Sequence, residues 1–291
     1  MKIGRVQHDN KNYDVLFING KPYDLSRILN DANISPFDLT EDIVQENMHR
    51  LIEIGGDFNF LVPLDRVNQI RDFYAFEEHA RNSRKNRGLE MIPQWYEVPV
   101  YYYTNKDALL AHMEKIHKPS FTNQLDLEVE VGIVIGKDGR NIKQEDAISY
   151  IYGLTLMNDW SARDVWKRES LLNLGPSKSK DFATSIGPYI TTVDEILKLW
   201  NGKSFNIELE SYINNRLFSR SNMKDIYWGM GQIVEYCSQD VTLKRGDILM
   251  TGTFPGGCIF ERNDPKLGWL KQGDVIEIRS EVLGSLKNEV N

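Results

Sequence analysis

The chain has 291 residues, of which 41% are hydrophobic and 26% are charged, and its net charge at pH 7 is −7. This composition is typical of a globular enzyme with a large core, and the length suits one large domain, alone or with a small one. The acidic balance argues against a nucleic-acid partner, and no apolar stretch approaches the roughly 20 residues that cross a bilayer.

The first part of the chain predicts a small α+β unit. Residues 2–29 are typical of short strands joined by Asn/Gly turns, and INGKPYDL is the clearest hairpin signal. TEDIVQENMHRLIEIGG predicts a helix with Thr40 as its N-cap and Gly55 as its stop. We therefore expect a small domain over residues 1–65 and a larger one over residues 66–291.

The larger part is predicted to be rich in strands. Residues 71–88 become helical in their second half, VPVYYYTN predicts an aromatic strand, and KDALLAHMEKIH predicts a short helix. LDLEVEVGIVIG alternates like a half-buried strand, and YGLTLM, GPYITT, FNIELESYI, RGDILM and GDVIEIRS predict further strands. The spacing favours an α+β fold dominated by strands over a doubly wound fold.

Carboxylates recur along this strand-rich part. Asp126, Glu128 and Glu130 share one face of the alternating strand at roughly 7 Å spacing, with no basic residue among them. Such a row either faces bulk water or lies beneath a cation. Asp159 at the end of an apolar strand and Asp72 in IRDFYAFEEH could join Glu128 and Glu130 around a hard divalent cation, which takes oxygen ligands.

The two cysteines, Cys237 and Cys258, form no C-x-x-C pair and have no metal-ligand spacing. Two isolated thiols in a chain of this length indicate a reducing compartment, and both are predicted to be core residues. The start, MKIGRVQHDN, has no apolar signal-peptide core. We therefore expect a cytoplasmic protein with no membrane partner.

Several segments, in the same order, resemble the fumarylacetoacetate hydrolase family: RDFYAFEEHA, IPQWYEVPVYY, LDLEVEVGIVIG, LMNDWSARD, LGPSKSKDFATSIGP and LMTGTFPGGC. The resemblance runs from about residue 70 to the C-terminus. NDWSARD followed by KDFATSIGP is its most specific part, because no generic fold requirement explains either motif. The N-terminal residues are similar to the small cap of the compact members of the family.

The resemblance implies a mixed β-sandwich roll that is usually homodimeric and binds a divalent metal. Mg²⁺ is the first choice, with Mn²⁺ or Ca²⁺ as alternatives, and the implied ligands are Asp72, Glu128, Glu130 and Asp159. The family cleaves or rearranges 2-keto and 1,3-diketo acids, and the metal polarises a carbonyl and stabilises an enolate. Asp126 is then expected to hydrogen-bond a loop or face water.

The resemblance also implies the catalytic and substrate-binding residues. His79 lies at the position of the general base, Glu261 at that of the carboxylate that orients it, and Lys180 at that of a lysine near the metal. Histidine titrates near neutrality, which suits a general base. The substrate-binding positions correspond to Tyr74, Tyr102, Arg163 and Thr253. Tyr102 stands among three consecutive tyrosines, so a slip of one residue is an alternative.

Three hypotheses about function are considered for this chain. The first hypothesis is a metal-dependent hydrolase that cleaves a C–C bond in a small 1,3-diketo acid of the acylpyruvate or fumarylacetoacetate type. The alternative is a keto-acid decarboxylase, isomerase, hydratase or dehydratase that uses the same site. A non-catalytic relative is the third, and the intact set of site residues argues against it. Trp166 and Ser170 replace a glutamine and a tyrosine that contact substrate in fumarylacetoacetases, which argues against fumarylacetoacetate as the substrate.

Overall fold

The structure, a computed structural model that describes residues 1–264 and 266–291, is built mainly of strands. Within these residues the strands are β1 (Lys2–His8), β2 (Lys11–Ile18), β3 (Lys21–Asp24), β4 (Ile52–Glu53), β5 (Asn59–Phe60), β6 (Ile70–Phe73), β7 (Tyr101–Thr104), β8 (Leu109–Leu110), β9 (Leu125–Asp126), β10 (Val129–Ile135), β11 (Ile151–Asp159), β12 (Ser161–Ala162), β13 (Thr184–Thr192), β14 (Glu208–Ile213), β15 (Arg216–Asn222), β16 (Ile248–Met250), β17 (Val275–Ser280) and β18 (Gly284–Glu289). The α-helices are short: α1 (Ser26–Ala32), α2 (Glu41–Glu46), α3 (Glu77–Lys85), α4 (Arg163–Glu169), α5 (Val193–Ile196), α6 (Met230–Ser238) and α7 (Ile259–Arg262).

A 12-stranded mixed sheet forms the centre of the fold. Its main order is β4-β3-β2-β1-β13-β11-β10-β16-β6-β7, with β5 beside β1 and β8 beside β13. A four-stranded sheet, β15-β14-β17-β18, and the pair β12-β9 complete the strands. The predicted α+β class dominated by strands is confirmed. Because β1 pairs with β13, strands from both sides of residue 65 share one sheet, and the domain boundary there stays a prediction.

The predicted hairpin INGKPYDL is present between β2 and β3. Asn19 and Gly20 form its turn with φ angles of 51° and 79°, which suits a two-residue hairpin connection. In α2 the Thr40 hydroxyl accepts the Ile43 N–H at 3.3 Å, as expected of an N-cap. The predicted helix end at Gly55 is wrong, because the helix ends at Glu46 and the following chain forms β4, which pairs with β3.

The predicted helix over residues 106–117 is also wrong. The segment begins with a 3-10 turn, Lys106–Ala108, and continues as β8, which pairs in parallel with β13. The pairing of β8 with β13 outweighs the local preference of these residues for a helix, as tertiary context often does. The helix expected in the second half of residues 71–88 is α3.

The alternating strand is buried on both faces. Most of its apolar residues lie in the main core, and its acidic residues Asp126, Glu128 and Glu130 are only 0%, 6% and 1% exposed. The acidic row therefore does not face bulk water. The strand also breaks after Asp126, because β9 pairs with β12 whereas β10 pairs with β11 and β16.

The main hydrophobic core lies around β10, β11 and α6, and a second cluster packs α1 and α2 against the central sheet. In the described part of the chain, none of the helices is both long enough and apolar enough to cross a membrane.

Candidate metal centre and active site

Neighbouring strands of the central sheet bring the predicted acidic residues together. Glu130 lies on β10 and Asp159 ends β11, the strand beside it. On the other side of β10, β16 pairs with β6, so that Met250 stands opposite Asp72. Carboxylates separated by up to 87 residues in sequence thus meet because β11, β10, β16 and β6 are consecutive in the sheet.

Three carboxylates form one group, which we call the acidic group: Asp72, Glu130 and Asp159. One oxygen of each lies within 4.8 Å of the others, and all three residues are buried. Oδ1 of Asp72 and Oδ1 of Asp159 are buried without a hydrogen-bond partner. A buried carboxylate oxygen is stabilised by a proton, a base or a metal ion, and a set of oxygen donors matches Mg²⁺, Mn²⁺ or Ca²⁺. The residues of the acidic group therefore fit a hard divalent cation.

Tyr102 and the turn after β16 hold the acidic group in place. The Tyr102 hydroxyl lies 2.7 Å from Asp72 Oδ2 and 2.6 Å from Asp159 Oδ2. The hydroxyl proton serves one of these contacts at a time, and Asp159 Oδ2 also accepts from the ammonium group of Lys180. Glu130 accepts the Gly252 N–H at 3.0 Å, and the Thr253 hydroxyl lies 3.4 Å from it.

The electrostatics of the acidic group are dominated by burial and by repulsion. Burial, followed by the charge of Asp159, raises the pKa of Asp72 well above its usual value. Burial and the charges of Asp72 and Asp159 do the same to the pKa of Glu130. Burial also raises the pKa of Asp159, although Lys180 opposes this. The group therefore takes up protons more readily than exposed carboxylates do, and a cation bound among them would offset their mutual repulsion.

Glu128, the fourth predicted ligand, has different partners. Its Oε1 accepts a hydrogen bond from Arg163 at 2.6 Å, and its Oε2 is paired with the ammonium group of Lys180. Burial would raise the pKa of Glu128, but the charges of Arg163 and Lys180 overcome burial and hold that pKa well below its usual value. The structure does not place Glu128 in the acidic group, and its role as a metal ligand stays a prediction.

Two buried cations accompany the carboxylates. Lys180 is paired with Glu128 and with Asp159, and these carboxylates raise its pKa against the opposing effect of burial. Arg163 donates to Asp126 at 2.8 Å as well as to Glu128. Asp126 also accepts the backbone N–H groups of residues 259 and 260, so it hydrogen-bonds a loop and does not face water. The donors of Arg163 thus engage protein carboxylates.

His79 and Glu261 form a buried pair beside this region. Nδ1 of His79 lies 2.7 Å from Oε2 of Glu261, although 182 residues separate them. Glu261 also accepts the Asn82 amide and the Gly256 N–H, each at 2.9 Å. Burial opposes its ionisation, but the hydrogen bond and the charge of His79 lower the pKa of Glu261. An ionised Glu261 that fixes the ring of His79 is the arrangement that a general base requires.

The remaining predicted residues are Tyr74, Trp166 and Ser170. Tyr74 packs its ring edge-on against His79 with centroids 5.5 Å apart, and its hydroxyl donates to the Ala80 carbonyl at 3.2 Å. Trp166 packs against Phe260. Ser170 begins a 3-10 turn directly after α4. The roles of these residues in substrate binding or selectivity stay predictions.

Sequence reasoning missed two polar residues of α3, Asn82 and Ser83. Ser83 Oγ lies 3.4 Å from Nε2 of His79, and Asn82 donates to Glu261. Both positions could have been found from the predicted helix, because residues three and four positions after His79 lie on the same helical face. Cys258, expected near the site, is buried beside His79 and Glu261.

Most of the chain matches a known protein family. Residues 68–291 match the family described as fumarylacetoacetate (FAA) hydrolase C-terminal. The chain belongs to the fumarylacetoacetate hydrolase family. It is 32% identical over 216 residues to the oxaloacetate tautomerase YisK of Bacillus subtilis, which covers 74% of this chain and 66% of that protein.

Two further matches extend over nearly the whole chain. The 2,4-didehydro-3-deoxy-L-rhamnonate hydrolase of a Sphingomonas species is 26% identical over 278 residues, which is 95% of this chain and 91% of that protein. The structure of the fumarylacetoacetate hydrolase from psychrophilic Exiguobacterium antarcticum superposes with a TM-score of 0.78 at 23% identity, over 100% of this chain and 99% of that one. The fold is therefore that of the family, and the chain is an enzyme of this superfamily.

Proposed function

We propose that this enzyme is a metal-dependent hydrolase that cleaves a C–C bond in a 1,3-diketo acid of the acylpyruvate type. The pairing of His79 Nδ1 with Glu261 Oε2 at 2.7 Å carries the proposal. The two residues directly before Glu261 donate their N–H groups to Asp126, and Arg163 bridges Asp126 and Glu128, so the pair lies beside the buried carboxylates. A base positioned beside a cation site is suited to activating water for attack on a carbonyl.

The cation would be held by Asp72, Glu130 and Asp159, with Glu128 as the predicted fourth ligand. Mg²⁺ is our first choice, and Mn²⁺ and Ca²⁺ are the alternatives. A divalent cation bound there supplies a Lewis acid that polarises the carbonyl groups of the diketo acid and stabilises the negative charge that develops during cleavage.

His79 has the central role in proton transfer. With Nδ1–H donated to Glu261, Nε2 carries the lone pair that accepts a proton from water. The water oxygen bonds to the distal carbonyl carbon, and the bond from that carbon to the adjacent CH₂ then breaks with its electron pair on the pyruvate fragment. The proton held by His79 is available to that fragment. One acylpyruvate and one water thus give a carboxylate, pyruvate and a proton.

Other residues of the chain are proposed to orient the substrate and balance charge. The ammonium group of Lys180, buried between Glu128 and Asp159, offsets negative charge on the pyruvate fragment. Tyr74, Tyr102, Arg163 and Thr253 are the proposed substrate-binding residues. Since Arg163 already donates to Asp126 and Glu128, its contribution would include holding Glu128 in place.

Product analysis tests this function directly. The purified enzyme with Mg²⁺ should convert an acylpyruvate into its carboxylic acid and pyruvate, identified by mass spectrometry. Incorporation of ¹⁸O from labelled water into the carboxylic acid would establish that water attacks the carbonyl. Loss of CO₂, or a product of unchanged mass, would exclude C–C hydrolysis of that substrate.

Enol–keto tautomerisation of a 2-keto dicarboxylic acid is the second candidate. The similarity to the relative named oxaloacetate tautomerase favours it. His79, held by Glu261, can also move a proton to or from carbon. Decay of the enol absorbance of oxaloacetate measures this reaction. Acceleration of that decay without cleavage of any acylpyruvate would support tautomerisation over hydrolysis.

A homodimer is the assembly that the family resemblance predicts. Light scattering coupled to size-exclusion chromatography would give twice the mass of the 291-residue chain. A single species with the mass of one chain at assay concentration would contradict this prediction.

A further inference from the structure

A second group of ligating atoms lies beside the acidic group, at the proposed base. It consists of a ring nitrogen of His79, Sγ of Cys258 and a carboxylate oxygen of Glu261, which all lie within 4.8 Å of one another. The three residues are 5%, 0% and 7% exposed. They come from α3 and from the start of α7, two elements that pack together.

The donor types of the two groups differ in chemistry. The acidic group offers oxygen alone, which hard cations such as Mg²⁺ prefer. The second group offers nitrogen, sulfur and oxygen, the ligands of Zn²⁺ and other borderline-soft cations. Burial raises the pKa of the Cys258 thiol, so binding would release its proton to solvent. The resulting thiolate and the Glu261 carboxylate together match the two charges of the ion. Such a cation would therefore leave no unpaired charge in the buried group. An unpaired buried charge is strongly destabilising.

Hydrogen bonds from neighbouring residues orient the side chains of this group, as they do around metal ligands in proteins. Nε2 of His79 faces Ser83 Oγ at 3.4 Å, and Oε1 of Glu261 accepts the Asn82 amide at 2.9 Å. Partners of this kind fix the orientation of ligands from outside a metal centre. Nδ1 of His79 and Oε2 of Glu261 are 2.7 Å apart, and tetrahedral Zn²⁺ with bonds of about 2.0–2.1 Å would separate them by only about 0.6 Å more.

An open cleft gives the group access to solvent. The cleft has a volume of about 320 Å³ and is lined by residues that include Asn82, Gly256 and Glu261. Glu261 therefore lies between the cleft and His79. An ion from solution can reach the carboxylate first and then the buried nitrogen and sulfur, and water from the cleft can complete a four-coordinate site.

We propose that His79, Cys258 and Glu261 form an inhibitory site for Zn²⁺ or a similar thiophilic cation. Binding rests on this geometry alone, whereas inhibition also rests on the proposed function of His79 as a base. An ion on Nδ1 displaces the proton that this nitrogen donates to Glu261, and the neutral ring then carries its single N–H on Nε2. Nε2 then no longer accepts a proton from water, although the acidic group keeps its own cation.

Cobalt absorption tests binding without any substrate. Co²⁺ is titrated into the full-length enzyme in excess Mg²⁺, and thiolate ligation is detected by a sulfur-to-cobalt charge-transfer band in the near ultraviolet. The wild-type enzyme should show this band and lose it on addition of Zn²⁺. Cys258→Ser should lack the band and bind Zn²⁺ at least about tenfold more weakly. Absence of the band from wild type, or its persistence in Cys258→Ser, would overturn the site.

Cys237 provides the matched control, because it is the other free cysteine and is also buried. Cys237→Ser should keep the cobalt band and the affinity for Zn²⁺. Circular dichroism of each variant shows whether it has folded. If Cys258→Ser fails to fold, Cys258→Ala and carbon-13 or cadmium-113 resonances of the wild-type site decide the same question, since a cysteine-bound ¹¹³Cd²⁺ has a distinct chemical shift.

Inhibition is measured separately, at saturating Mg²⁺ and with the reaction found by product analysis. Zn²⁺ should inhibit the wild type and Cys237→Ser at concentrations that fill the cobalt-detected site, and extra Mg²⁺ should not relieve it. Cys258→Ser should stay active and require at least about tenfold more Zn²⁺. Equal inhibition of both cysteine variants would refute the inhibitory site. A filled site without inhibition would refute the function of His79 as the base while leaving the binding site intact.

Discussion

The pairing of His79 with Glu261 leads to the sharpest test, the substitution Glu261→Gln, which removes the charge and keeps the size of the side chain. The proposed base becomes positively charged when it takes a proton from water, and Glu261 accepts its hydrogen bond at 2.7 Å in a buried environment. Glutamine preserves the size of the side chain and an oxygen acceptor but removes the negative charge. The substitution therefore weakens stabilisation of the charged imidazole while changing the packing little.

The magnitude follows from the strength of a charged hydrogen bond. Such a bond contributes about 1.5–3 kcal/mol, and each ~1.4 kcal/mol changes a rate tenfold. We therefore expect kcat of Glu261→Gln to fall by about 10- to 150-fold, with KM nearly unchanged because Glu261 contacts His79 and not the acidic group. Steady-state kinetics at saturating Mg²⁺ measure both parameters.

Glu78→Gln is the matched control. It removes the same charge from the residue next to His79, but Glu78 is exposed and lies on another face of α3. Its kcat should stay close to that of the wild type. Wild-type kcat in Glu261→Gln, or an equal loss in Glu78→Gln, would refute the idea that Glu261 orients and stabilises the base.

The same substitution has a signature in stability. Because the folded-state pKa of Glu261 lies below its ordinary value of 4.5, the carboxylate stabilises the fold above about pH 4.5, and this stabilisation is lost as the pH falls through the lowered pKa. The difference in unfolding free energy between wild type and Glu261→Gln should be full at neutral pH and shrink in acid. Urea unfolding at several pH values measures it, and a difference that grows in acid would contradict the pairing.

Three further predictions concern the same region. His79→Ala should lower kcat by about 10²- to 10⁴-fold but keep the thermal stabilisation by Mg²⁺, and loss of that stabilisation would place His79 at the metal instead. Because burial and repulsion raise the pKa values of Asp72 and Glu130, protons compete with the cation there. Mg²⁺ affinity should therefore rise with pH and binding should release protons, which calorimetry in buffers of different ionisation enthalpy detects; pH-independent binding would count against this site. Arg163→Met should lower the unfolding free energy by about 3–5 kcal/mol, because it leaves the buried charge of Glu128 without one of its partners, and a loss below ~1 kcal/mol in urea unfolding would contradict that reasoning.

Much of the fold could be predicted from local sequence. Asn19-Gly20 predicts a hairpin turn because both positions adopt positive φ, and Thr40 predicts a helix start through its hydroxyl. Local pattern was not enough over residues 106–117, where pairing of β8 with β13 replaced the expected helix. A helical preference of single residues is small compared with the pairing and burial that a neighbouring strand supplies.

The sequence by itself determined that Asp126, Glu128 and Glu130 share one face of a strand, since side chains alternate along an extended backbone. It left open whether that face meets water. Only the tertiary structure decided that the face is buried and that its members have different partners. Glu130 joins carboxylates of neighbouring strands, whereas Arg163 and Lys180 pair with Glu128. Residues far apart in sequence become partners only through strand order and packing, which local periodicity does not encode.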